Sequence, residues 1–122
     1  MAKIERFEDI IAWQKARDLV KAIYETSNSG IFAKDFSLRD QIRRATVSIM
    51  LNIAEGFARR TNREFLQFLV VAHGSAAEVQ AALYVALDQK YISQEQFENL
   101  YKIAMEVSKT IMGFSNYLKK SL

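Results

Sequence analysis

A chain of 122 residues, half of them apolar and a quarter charged, has the length and balance of one globular domain with a substantial core. The absence of cysteine excludes a disulfide framework, thiolate chemistry and a cysteine zinc ribbon, and the absence of proline favours long uninterrupted helices. A formal net charge of +3 permits an acidic partner without demanding one, and no signal-peptide pattern or uncharged apolar run of bilayer-spanning length is present, so a cytoplasmic protein with no membrane partner is expected.

The first predicted helix runs from about Asp9 to Asn28. Ile10, Trp13, Ala16, Val20 and Ile23 give it an apolar stripe, and Gln14, Arg17, Lys21 and Glu25 face water. Phe7 stands where it can staple the start, and Asn28-Ser29-Gly30 is a stop signal. The second helix, about 38–58, is expected to start after Ser37, with Asp40 completing a capping box. Leu38, Ile42, Ala45, Ile49, Asn52 and Gly56 form a heptad-like seam. The third, about 62–89, opens at Thr61 with Glu64 in a second box, and its seam is Phe65, Leu69, Ala72, Ala76, Val79, Leu83 and Ala86. Small residues from Ala72 to Ala77 predict a close neighbouring backbone. The fourth, about 94–119, follows Ser93 with Gln96 in a third box, and Phe97, Leu100, Ala104, Val107, Ile111, Phe114 and Leu118 form its seam. Short gaps make sequential helices antiparallel. The expected fold is therefore all-α, an up-down-up-down four-helix bundle over a single 1–122 domain.

A polar stripe crosses the apolar second helix. Gln41, Arg44, Ser48, Asn52, Glu55 and Arg59 recur at spacings of 3, 4, 4, 3 and 4, which aligns them on one helical face. If that face is buried, each unpaired group costs about 1–3 kcal/mol, so partners are expected. A hairpin turning near residue 60 sets Arg44 against Glu78, and Ser48 and Asn52 near His73 and Ser75. This predicts a buried or interface Arg44–Glu78 ion pair with Gln41, Ser48, Asn52, Glu55 and Ser75 in one network. The competing reading is a solvated stripe with Arg44 reaching water.

The residues Phe7, Trp13-Gln14-Lys15-Ala16, Tyr24, Gln41-Ile42-Arg43-Arg44-Ala45, Ser48-Ile49, Asn52-Ile53-Ala54-Glu55-Gly56, Ala72-His73-Gly74-Ser75 and Glu78 resemble the four-helix-bundle family of 23S rRNA intervening-sequence proteins. The resemblance covers nearly the whole chain. It implies a bacterial bundle assembling as a homopentamer. It also implies kinship with the accessory variability proteins of diversity-generating retroelements, which bind nucleic acid and a reverse transcriptase. Other members carry proline after the Ser-Ile pair, where this chain has Met50.

Catalysis has little to stand on. The only histidine, His73, follows Val70 by three positions, so the inward Glu-x-x-His signature of di-iron bundles is missing. Glu55 and Glu78 are better read as paired structural carboxylates than as an acid–base couple. The chain is expected to be a non-enzyme without cofactor or metal.

Two surfaces remain. Met50, Leu51, Ala54, Phe57 and Ala58 on the second helix, with Phe68, Val71, Ala82 and Val85 on the third, lie off the seams and predict a homo-oligomer interface. Lys3, Arg6, Arg59, Arg60, Arg63, Lys119 and Lys120 fall at one end of the bundle and predict a basic RNA-binding end that grips phosphates without reading sequence. The alternative is a scaffold or protein-interaction module with no nucleic-acid binding.

Overall fold

The computed structural model of the chain describes residues 3–122; Met1 and Ala2, the first two of the expected domain, lie outside the described residues. A 3₁₀ turn at Phe7–Asp9 leads into α1 (Ile11–Ser27), and a second at Phe32–Lys34 leads into α2 (Phe36–Phe57). α3 (Asn62–Asp88) and α4 (Gln94–Lys119) follow, with no strand among the described residues.

Consecutive helices pack on one another, and α1 closes the ring against α4. Pairings run in opposite directions along adjacent helices: Gly56 lies against Phe65 and Ser48 bonds Ser75 across α2 and α3, while Phe65 meets Phe114 and Tyr84 meets Phe97 across α3 and α4. This is the antiparallel four-helix arrangement expected from the short connections. One core runs through it. All seven α3 seam residues are buried, as are those of α4 except Phe114, which is half-buried.

The helix starts differ from the sequence reading in their details. α1 begins at Ile11, after the Phe7–Asp9 turn, and its buried stripe is Ala12, Ala16, Leu19, Ile23 and Ser27. Trp13 and Val20 are only half-buried. Small Ala12 and Ala16 turn inward, and Trp13 lies edge-on against Phe7 at 5.0 Å. α2 starts two residues earlier than expected. Its cap is Asp35, whose carboxylate accepts from the Leu38 amide at 3.0 Å, not Ser37. Asp40, the expected partner in that box, pairs with Arg39 at 3.0 Å. Thr61 caps α3 one-sidedly by accepting from the Glu64 amide at 3.2 Å. Only Ser93 and Gln96 complete a reciprocal capping box. α3 ends with the Tyr91 amide donating to Ala86 and Lys90 held at a φ of 62°, a Schellman turn made without glycine.

Asp35 also ties the two connections at its end of the bundle together. The Tyr91 hydroxyl donates to its second carboxylate oxygen at 2.8 Å, and the Tyr91 ring stacks on buried Phe32 at 5.5 Å. The Leu38 amide, and then the Tyr91 hydroxyl, hold the Asp35 carboxyl below its ordinary value. A depressed carboxyl contributes stability that is fully present above the unfolded-state value and is lost as pH falls through the folded-state value. Asp35→Ala is therefore expected to lower Tm near neutral pH and to make the acid-side fall in Tm shallower; an acid limb identical to wild type would contradict this.

Gly56 marks a close approach of α2 to α3. A Cβ there would stand 2.7 Å from the Phe65 ring and 2.8 Å from the Phe68 Cβ, and that second atom is rigidly attached to the backbone. Overpacking costs about 1–3 kcal/mol and outweighs the gain of about 1 kcal/mol in helix propensity. Gly56→Ala is expected to destabilise the chain by about 1 kcal/mol in chemical denaturation. At Gly113 a Cβ meets nothing within 4 Å, and Gly113→Ala is expected to stabilise by about 0.5–1 kcal/mol.

Candidate nucleic-acid interface

The predicted polar stripe forms, but on the outside of the chain. Ser48 and Ser75 share a hydroxyl–hydroxyl hydrogen bond of 3.0 Å, and the Asn52 amide donates to the Ser48 carbonyl at 2.8 Å and to its hydroxyl at 3.0 Å. These three are half-buried, whereas Gln41, Arg44, Glu55 and Glu78 are exposed. Of the expected buried or interface Arg44–Glu78 pair, the buried form is absent: both residues are exposed and unpaired with each other within the chain. Glu78 instead accepts a hydrogen bond from the Gln41 amide, and Arg44 makes no ion pair among the described residues. The register is as expected, with Ser48 against Ser75, but the side chain that reaches Glu78 is Gln41. Arg44, Ser48, Asn52 and Glu55 line an open groove of about 590 Å³ with Tyr24, Arg43 and Leu51. Arg43 is fixed there, donating to Ser27 at 2.8 Å with its guanidinium 4.6 Å over the Tyr24 ring.

The off-seam apolar residues divide. Leu51 and Val71 are 61% and 51% exposed, while Met50 and Phe57 pack partly on the chain's own core. Ala54 and Phe68 are half-buried, Ala58 is exposed and Ala82 is buried. The larger apolar surface belongs to α3. Val70, Gly74, Ala77, Ala81 and Tyr84 follow one another at helical spacing on its outer face, flanked by Val71 and Val85, and all are exposed. Only 39% of the most apolar stretch of this helix is buried inside the chain, although by length and composition the helix could cross a bilayer.

At the basic end the seven predicted cations are not equivalent. Lys3, Arg59 and Arg60 line one cavity of about 450 Å³ with Thr61, Asn62 and Ser121, and no Asp or Glu is among its described lining residues. Its walls are Ile4, Phe57, Phe65, Phe114, Tyr117 and Leu118. Arg6 is turned away, bonded to Glu8 at 2.8 Å, and this pairing holds the Glu8 carboxyl below its ordinary value. Arg59 lies 4.8 Å over the Phe68 ring and 3.3 Å from Glu55. Lys119 lines a separate hollow between α3 and α4 with His73, Met112 and Ser115. Arg63 and Lys120 are exposed outside both hollows. Glu55 is exposed and bound to Arg59, so it tempers the field that an interior Glu55 would have left unopposed.

The residue pattern alone finds the cations and misses the aromatic wall. By spacing, Phe57 reads as an interface residue and Phe114 as a core residue. Tyr117 carries no signal beyond its place three residues after Phe114. The described residues contain no group of three or more His, Asp or Glu side chains able to hold a metal ion.

The sequence model of a family described as 23S rRNA-intervening sequence protein matches residues 8–113. No curated protein matches the chain. Among solved structures, the chain is similar to a protein with unknown function from the S23 ribosomal protein family of Bacteroides thetaiotaomicron VPI-5482. The identity is 24% with a TM-score of 0.79, over 86% of this chain and 98% of that one. That likeness carries the fold.

Proposed function

The chain belongs to the 23S rRNA-intervening sequence protein family, and on that premise we propose that it is a non-enzymatic, self-assembling RNA-binding accessory protein that grips RNA at the basic end of its bundle. The observation that carries this reading is the cavity lined by Lys3, Arg59 and Arg60 with no carboxylate among its described lining residues, Glu55 engaging only Arg59 from outside it, and Arg63 and Lys120 exposed. Lys3, Arg60, Arg63 and Lys120 form no ion pair among the described residues, which leaves them available to phosphates. Backbone contacts of this kind position a nucleic acid without reading its sequence.

Self-assembly is supported by the outer face of α3. Val70 at 72% exposure, Val71 at 51% and Tyr84 at 50% form an apolar stripe of the kind soluble chains cover with a partner. The homopentamer implied by the family resemblance would cover it and place a basic cluster on every subunit. The same face is the basis of the alternative, a scaffold that recruits a protein and binds no RNA.

Light scattering is expected to give a mass five times the 14.0 kDa of one chain, and Val70→Glu with Val71→Glu to release smaller species of unchanged helicity. A stable 14.0 kDa species at micromolar concentration would contradict assembly. RNA affinity should fall with salt. In the Arg59→Ala, Arg60→Ala, Arg63→Ala variant the slope of log affinity against log salt should flatten by about 0.7 for every phosphate that the protein ceases to neutralise. A variant that keeps its mass and the wild-type slope would place the RNA elsewhere.

A further inference from the structure

We propose that the cavity at the basic end is a pocket for an unpaired nucleobase, stacked on Tyr117 while Lys3 and Arg60 hold the flanking phosphates. The ligand is then single-stranded RNA rather than duplex. This rests on the RNA-binding reading above and narrows it.

Three features of the cavity point to a base rather than to a phosphate alone. The first is its wall. Four aromatic side chains run in contact from the core to the surface: Phe57 meets Phe65 edge-on at 6.3 Å, Phe65 meets Phe114 edge-on at 5.3 Å, and Phe114 lies nearly parallel to Tyr117, at 6.4 Å and 13°. The inner rings fix the outermost one, and Tyr117 stays 43% exposed. An exposed aromatic ring held in place by other rings is a stacking platform, and any base has a face to offer it. The second is the rim. Lys3 and Arg60 make no ion pair among the described residues, and Arg59 is only partly engaged by Glu55. The third is the set of polar groups between rim and wall. The Asn62 amide and Ser121 hydroxyl line the cavity and engage no other group among the described hydrogen bonds, so they can meet a base edge. Thr61, by contrast, is occupied in capping α3.

A base in a duplex is stacked on both faces and paired along its edge, so it cannot enter without being unpaired first. An unpaired base pays no such cost. Stacking on an aromatic side chain is sequence-tolerant, in keeping with a site whose other contacts are to the backbone. The neighbouring hollow of about 620 Å³ shares Lys3, Ile4, Phe114 and Tyr117 but adds Asp9 and an apolar lining, which suits it poorly to a phosphate chain.

The test is fluorescence anisotropy with one end-labelled oligoribonucleotide, alone and annealed to its complement, at fixed salt. The wild-type protein should bind the single strand about tenfold more tightly than the duplex. Tyr117→Ala should weaken single-strand binding by about five- to a hundredfold and leave duplex binding unchanged, and Tyr117→Phe should restore the preference. Because Tyr117 lies at the surface, 43% exposed and outside the buried core, both variants are expected to keep wild-type helicity and mass. Equal affinity for strand and duplex, or an unchanged single-strand affinity in Tyr117→Ala, would overturn the base pocket while leaving the basic-end reading in place. Failure of the wild type to bind either probe would overturn both.

Discussion

The close antiparallel contact of α2 with α3 is the constraint on which the rest of the molecule depends. Gly56 leaves room for Phe65 and Phe68, and further along the pair Ser48 and Ser75 come within hydrogen-bonding distance. Around this contact the large apolar side chains divide between two sides of the hairpin. On the inner side they make the core shared with α1 and α4. On the outer side they have nowhere to go within one chain, and Val70, Val71, Tyr84, Val85 and Leu51 stand exposed. The same tight packing thus generates a stable hairpin and an unsatisfied surface.

The hairpin also builds the basic end. α2 must stop at Phe57 so that α3 can begin at Asn62, and the connection between them carries Arg59, Arg60 and Thr61. Phe65, the residue that fills the space beside Gly56, is an inner member of the aromatic chain that reaches Tyr117. Packing and site are therefore coupled through one ring. A change that moves Phe65 should be felt both in stability and at the cavity.

Much of this is legible in the residues. The seams of α3 and α4 follow strict 3–4 spacing with large apolar side chains, and the structure buries them nearly without exception. The α2–α3 register follows from a short connection and helical rise, which is why the residues alone bring Ser48 to Ser75. What is not legible depends on groups distant in sequence. Asp35 and Ser37 are both good caps, and the choice between them is made by Phe32 burying its ring and by the Tyr91 hydroxyl. Trp13 outranks Ala12 as a core candidate by size, yet Ala12 is buried and Trp13, set against Phe7, stays half-buried. The apolar character of α2 argues for an interior polar stripe; the chain instead leaves that face open, with Glu78 answered by Gln41. Tyr117 is invisible in the sequence because its platform is defined by three other rings spread over α2, α3 and α4.

The proposed function gives two surfaces two tasks, the outer face of α3 for a second copy of the chain and the end of the bundle for RNA. Photo-crosslinking of thiouridine-substituted single-stranded RNA, followed by mapping of the linked peptides, reads that division in one experiment. Crosslinks concentrated at Tyr117 and in the segment from Phe57 to Arg63 are the predicted result. Crosslinks concentrated on the outer face of α3, at Val70, Val71, Tyr84 and Val85, would contradict it.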